Sequence, residues 1–192
     1  MRATLLYLVP AVLALTACRN TPADKPAQPV VFPENNPWID RGCDLITDAE
    51  LQEMYRIDPE RDVLNTRSLP GKAYCLRTWM RPNWKQIESD NEKPGAVYKD
   101  FSNALALELI HYGSAVQATE RMAINRREQR EMYPVDVPEL GDDALWAPST
   151  NTLLVQYGPF ILNVLFAGTD TPEGNLAEAQ RVAEQALPRL EK

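Results

Sequence analysis

The chain has 192 residues, with 20 Lys and Arg against 27 Asp and Glu and a formal net charge of −7. That balance argues against nucleic acid or an anionic membrane surface as a partner, because both call for a net basic footprint. With 44% apolar residues the chain can bury the core of one domain.

Arg2 supplies a basic start, and Leu5 to Leu15 form an apolar stretch too short to persist as a membrane-spanning helix. Leu15-Thr16-Ala17-Cys18 closes it with small residues and a cysteine, and the whole run resembles a bacterial lipoprotein signal. The resemblance implies removal of residues 1–17, diacylglycerol on the Cys18 thiol and acylation of the new amino terminus. The alternative is an ordinary secretory signal cut after Ala17, with Cys18 a spare thiol. Two or three acyl chains hold a protein stably at a bilayer while the polypeptide stays outside it. Arg19 stands where inner-membrane lipoproteins of enteric bacteria typically carry Asp, so the expected address is the cell envelope, at the outer membrane facing the periplasm if the host is Gram-negative. Losing Arg2 with the signal makes the mature chain one unit more negative.

Residues 18–37 carry Pro22, Pro26, Pro29, Pro33 and Pro37 among small polar residues. Such a segment favours extended polyproline-like backbone and forms no core, so it reads as a tether reaching roughly 60 Å at about 3 Å per residue. A single globular domain is expected over residues 38–192. Cys43 and Cys75 are the cysteines left in an oxidising compartment, and we expect them to form a disulfide. A redox or zinc pair lacks both Cys-x-x-Cys spacing and enough soft ligands.

Thr47 and Glu50 form a capping box, with Ile46 and Leu51 as a hydrophobic staple, and predict a helix from Asp48 to about Tyr55. Arg56 to Gly71 reads as a loop and Ala73 to Met80 as a strand. Arg81 to Asp100 is a long polar excursion with a short helical turn around Trp84. Leu105 to Tyr112 alternates as a strand, placing Leu105, Leu107, Leu109 and His111 on one face. Ser114 and Gln117 open a helix ending near Arg130, with Ala115, Ala118, Met122 and Ala123 as its apolar stripe. Three strands follow, at Ala144 to Ala147, Thr152 to Tyr157 and Phe160 to Ala167, the last two joined at Gly158-Pro159. Phe160 to Ala167 holds eight residues including Asn163, short of a membrane span. Asn175 is expected to cap a final helix that buries Ala179, Val182, Ala183, Ala186 and Leu190 and bends or ends at Pro188. The order predicts an α+β fold: an antiparallel sheet of about five strands with three helices packed mainly on one face and one disulfide.

His111 is the single histidine, and its strand phase among leucines suggests a core residue bonded to backbone rather than a catalytic base. Asp136, Glu139, Asp142 and Asp143 gather carboxylates without the ligand alternation of a calcium loop, and read as a turn rather than a metal site. Arg121, Arg126, Arg127 and Arg130 form the best basic patch and could grip an anion, although Glu120, Glu128 and Glu131 interleave with them as on a solvated charged face. Phe160, Leu162, Val164 and Phe166 occupy one strand face while Ile161 and Leu165 occupy the other; Tyr74, Leu76 and Met80 likewise oppose Cys75 and Trp79. A sheet with helices on one side normally shows a polar second face. The apolar second face needs a cover: the Arg81 to Asp100 excursion, a curled sheet edge, a partner protein or an acyl ligand. Trp84, Tyr74, Leu76, Met80, Ile161 and Leu165 are its candidate contact residues.

Cys43-Asp44-Leu45-Ile46-Thr47, Tyr74-Cys75-Leu76, Gly141-Asp142-Asp143-Ala144-Leu145-Trp146 and Leu154-Val155-Gln156-Tyr157-Gly158 together resemble small bacterial envelope lipoproteins of mostly uncharacterised type. They also resemble the extracellular sensor domain of mycobacterial Ser/Thr kinases, although Arg77 stands where those relatives often have Trp. The resemblance implies a disulfide-tied α+β sensor or binding domain rather than an enzyme, and the leading expectation is a module without a cofactor that contacts another envelope protein through an exposed sheet face or the Arg81 to Asp100 loop. The other classes consistent with the residues are a lipid or glycolipid carrier, and an inhibitor or immunity lipoprotein against a basic hydrolase.

Overall fold

Thr47 and Glu50 set the first helix as their spacing predicts. The Thr47 N–H donates to Glu50 Oε2 at 2.8 Å, the Glu50 N–H donates to Thr47 Oγ1 at 3.3 Å, and the helix α1 runs Asp48–Tyr55. Ile46 and Leu51, the staple, are both fully buried. The computed structural model describes residues 36–58 and 62–190, all within one unit spanning Val31–Lys192. The signal segment, Cys18 and the tether up to residue 35 lie outside the described residues.

Three further helices follow, α2 (Trp84–Asn91), α3 (Ala115–Glu128) and α4 (Pro172–Ala186), with 3-10 turns at Gly42–Leu45 and Leu187–Arg189. The strands are β1 (Asn65–Ser68), β2 (Tyr74–Met80), β3 (Ser102–His111), β4 (Val135–Asp136), β5 (Asp143–Ala147), β6 (Thr152–Tyr157) and β7 (Phe160–Ala167). They form one open antiparallel sheet in the order β1-β2-β3-β7-β6-β5-β4. The α+β class with one disulfide therefore holds, but with seven strands and four helices among the described residues rather than about five and three. The added strands are the two edges. Asn65-Thr66-Arg67-Ser68 is exposed throughout and β4 has two residues, so neither shows the apolar alternation that announces a strand. They form because the outer backbone groups of β2 and β5 need partners. The helix α2 buries Ile87 alone, which leaves almost no period to read.

One sheet face carries Trp79, Leu105, Leu107, Leu162, Val164 and Phe166 into the main core, where Leu51 of α1 and Ala179, Val182 and Ala183 of α4 cover them. The other face puts Leu145, Leu154 and Ile161 into a second cluster against Ala118 and Met122 of α3. So α3 lies opposite α4, which corrects the expectation of helices mainly on one face. Its buried stripe is narrower than expected, since Ala115 and Ala123 are exposed.

The last helix also starts earlier than Asn175. Thr171 is the cap, its Oγ1 accepting from the Gly174 N–H at 3.1 Å, and Pro172 occupies the first turn, where its missing N–H costs nothing. Asn175 sits inside the helix, buried, because its Oδ1 accepts from the N–H groups of Gly168 (3.1 Å) and Thr169 (2.9 Å). The helix ends at Ala186, just before Pro188, as expected.

Candidate functional site

The half of the second face that α3 leaves uncovered is built by strand register. Leu76 of β2 pairs with Ala106 of β3, which pairs with Leu165 of β7, so three apolar side chains form a row across the sheet. Beside it Tyr74 pairs with Glu108, and Glu108 with Asn163, whose Nδ2 donates to the Glu108 carboxylate at 3.4 Å. Tyr74, Leu76, Thr78, Met80, Ala106 and Leu165 are all half-buried, and none belongs to either core cluster. Ile161 differs: it is 3% exposed beneath α3 and is not part of this open surface.

Thr78 and Met80 carry the open face to a cleft of about 1300 Å³ at the end of the sheet, which Trp84 and Arg81 also line. Tyr55, Trp79 and Phe166 back the cleft, with Tyr55 5.0 Å from Trp79 and 5.6 Å from Phe166 between ring centroids. Asn103 orients Trp79 by accepting from its Nε1 at 2.8 Å while donating to the Gly168 carbonyl at 3.2 Å. Arg81 joins Asp170 at 2.9 Å and Lys99 joins the same carboxylate at 3.3 Å, closing the 81–101 excursion onto the turn after β7. That excursion is internally bonded too, with the Arg81 N–H donating to the Phe101 carbonyl at 2.9 Å.

The Tyr55 hydroxyl faces the Glu178 carboxylate, whose Oε2 also lies 3.5 Å from Arg181 NH1, and Arg81 Nε is buried without a hydrogen-bond partner. Burial first, and then the nearby Glu178 carboxylate, push the Tyr55 phenol pKa up, so it stays protonated. Buried polar atoms without partners are rare and mark places where a ligand atom or water completes the arrangement. The lining combines the buried Arg81 donor with aromatic surface, which suits binding.

Arg126 of the basic patch is engaged by acidic neighbours. Arg126 reaches Asp136 at 2.9 Å and Asp143 at 2.6 Å, and those bonds, Asp143 first, raise its pKa further. Arg127 pairs with Glu128 at 2.8 Å, Arg121 serves Tyr112, and Arg130 stays exposed. Of the acidic run, Asp136 and Asp143 are thus engaged, and Asp142 accepts from the Gly158 N–H at 2.7 Å to brace the β6–β7 turn. Glu139 is exposed in a left-handed turn, and no group of three potential metal ligands occurs among the described residues.

His111 is half-buried rather than in the core, because it ends β3 where the leucine row stops. Its ring packs against Phe160 at 4.9 Å, and its Nδ1 has no hydrogen-bond partner instead of the expected backbone bond. Cys43 and Cys75 form the expected disulfide, S–S 2.09 Å. Gly42 brings the turn against β2 there: a Cβ at that position would collide with the Tyr74 backbone nitrogen.

Arg77, which the sequence marked only as a departure from the resembled families, is 2% exposed and lodged against the disulfide. Its NH1 donates to Cys75 Sγ at 3.0 Å, its NH2 to the Cys43 carbonyl at 3.1 Å and its Nε to Asp48 Oδ1 at 2.7 Å. The signal was available, since alternation in β2 puts Cys75, Arg77 and Trp79 on one face. Comparison of the chain with protein-family models, curated proteins and solved structures gives no match.

Proposed function

We propose that the chain is a lipid-anchored, non-enzymatic binding module of a bacterial envelope, tethered through Cys18 and contacting another envelope protein through the open half of its second sheet face. The observation that carries this reading is the Leu76, Ala106 and Leu165 row, an apolar strip over three paired strands that no core cluster of the protein uses. A half-covered apolar sheet face is a surface that gains from burial against a partner, at roughly 25 cal/mol per Å² of apolar area removed from water. The adjoining cleft adds hydrogen-bonding atoms and Trp84, a residue type that anchors interfaces well. The His111 ring packs against Phe160.

The test is site-specific photo-crosslinking in the living host. A photoreactive residue at Leu76 and one at Leu165 should trap the same protein, and one at exposed Ala123 on α3 should not. Leu76→Glu introduced beside the Leu165 probe should abolish the adduct. If the two face positions trap nothing, or no more than Ala123 does, the open face is not the binding surface. Co-purification of a lipid in its place would favour the carrier class.

A further inference from the structure

We infer that the Cys43–Cys75 disulfide is a thiol–disulfide exchange site with a built-in direction: an external dithiol attacks Cys43, and Cys75 leaves as a thiolate held by Arg77. Exchange rates depend on which sulfur can be reached and on how readily the other departs. Cys43 is half-buried, in the short turn before α1, whereas Cys75 is 1% exposed in the middle of the sheet. Attack from solvent therefore falls on Cys43. The leaving sulfur then receives the electron pair next to the Arg77 NH1, which already stands 3.0 Å from it. A neighbouring guanidinium stabilises a thiolate and lowers its pKa, and lower-pKa thiols leave faster.

The asymmetry is specific to this arrangement. The hydrogen bond of Arg77 to Cys43 goes to the backbone carbonyl and the one to sulfur goes to Cys75, so departure in the opposite sense would place the charge on the sulfur that lacks that hydrogen bond. Asp48 binds Nε and the Cys43 carbonyl binds NH2, which fixes the guanidinium plane and leaves NH1 directed at sulfur. A buried arginine needs such partners in any case, but a sulfur acceptor is an unusual choice for the third.

The chemistry balances without a further reagent. A thiolate of the dithiol forms a bond to Cys43 Sγ, the Cys43–Cys75 bond breaks, and its electron pair stays on Cys75. The second thiol of the dithiol gives its proton to solvent and attacks the mixed disulfide, releasing Cys43 as a thiolate that takes a proton from water. The dithiol is oxidised by two electrons to its own disulfide and the protein is reduced by two. The product has lost the covalent tie between the turn at Gly42–Leu45 and β2.

The experiment treats the folded, oxidised full chain with limiting glutathione, quenches with acid, and maps the adduct by peptide mass spectrometry, which reads Cys18 separately. Glutathione should sit on Cys43 rather than Cys75 in about ten-fold excess. In the Cys43→Ser chain, thiolate absorbance of Cys75 should rise at a pH about one unit or more below the ordinary value of about 8.5. Arg77→Gln should move that rise back up, and Arg77→Lys should keep it low. Adduct on Cys75, an even distribution, or no adduct on the folded chain would overturn the inference. If the Arg77 variants fail to fold, the adduct map of the unmodified chain decides alone.

Discussion

Arg77 and Asp48 join the middle of β2 to the first residue of α1, Nε to Oδ1 at 2.7 Å, although one side chain is 2% exposed and the other 52%. The pair spans the disulfide, so the same corner is held by a covalent bond and by a charge. Removing Asp48 leaves a buried guanidinium short of one acceptor, but solvent at the exposed carboxylate limits what is lost. Asp48→Ala should cost about 1 to 2 kcal/mol. Arg77→Ala, which also empties a fully buried volume, should cost about 3 to 5 kcal/mol. Urea unfolding of the oxidised chain measures both, and equal losses would contradict this division.

Acid should weaken the protein through Glu50. Burial opposes its ionisation, but hydrogen bonds from the Thr47 hydroxyl and N–H, with Arg189 paired beside it, outweigh burial and bring its pKa from 4.5 to about 2. A folded-state pKa below the unfolded one contributes stability that is present above the unfolded value and is lost as pH falls through the folded value. The window runs from about pH 4.5 down to about pH 2, and solvent screening at this partly exposed carboxylate keeps the contribution on the order of 1 kcal/mol. Glu50→Gln should lower stability at neutral pH and flatten the dependence across that window; an unchanged acid limb in chemical denaturation would refute the assignment.

Asn175 should be costly to replace for a reason unrelated to helix capping. Its Oδ1 accepts from the Gly168 N–H, the Thr169 N–H and the Thr169 hydroxyl, closing the turn between β7 and α4. Asn175→Ala leaves the two N–H donors unpaired in a part-buried site, while the Thr169 hydroxyl keeps the Thr171 carbonyl at 2.8 Å, and should cost about 1 to 3 kcal/mol. Thr171→Ala, which removes the cap itself, should cost about 1 kcal/mol. Thermal unfolding that ranks the two the other way would show that the turn matters less than the cap.

Leu76 and Ile161 are both apolar and both point to the second sheet face, yet they should respond differently to charge. Ile161→Glu buries a carboxylate under α3 without a partner and should unfold or severely destabilise the chain, by more than about 3 kcal/mol. Leu76→Glu lies on the open part of that face and should stay within about 1 kcal/mol of the parent. Circular dichroism melts of the two variants check this directly, and a collapse of the Leu76 variant would mean that the row is covered.

Much of the local structure was legible from residues alone because its causes are local. The Thr47 and Glu50 box, the β6–β7 hairpin at Gly158-Pro159 and the buried stripe of α4 follow from capping chemistry, turn preference and period. The failures share a cause as well. β1 and β4 exist because of the strands beside them, and the Asn175 side chain is engaged by the N–H groups of Gly168 and Thr169 in the turn before α4 while Thr171 caps the helix. Of the candidate contact residues, Tyr74, Leu76, Met80 and Leu165 share the open face and Trp84 lines the adjoining cleft, while Ile161 is separated from them by the placement of α3.

The sequence by itself determined the alternation of β2, β3 and β7 and the helix starts at Thr47 and Ser114, since each depends on neighbours in the chain, and through the lipoprotein-like run ending at Cys18 it led to the expectation that Cys43 pairs with Cys75. Only the tertiary structure decided which part of the second face stays open, that Arg126 is neutralised by Asp136 and Asp143, and that Arg77 meets Cys75 at the disulfide. Those outcomes depend on how strands and helices far apart in sequence pack. Burial forces each charge to find a partner wherever packing brings one within reach.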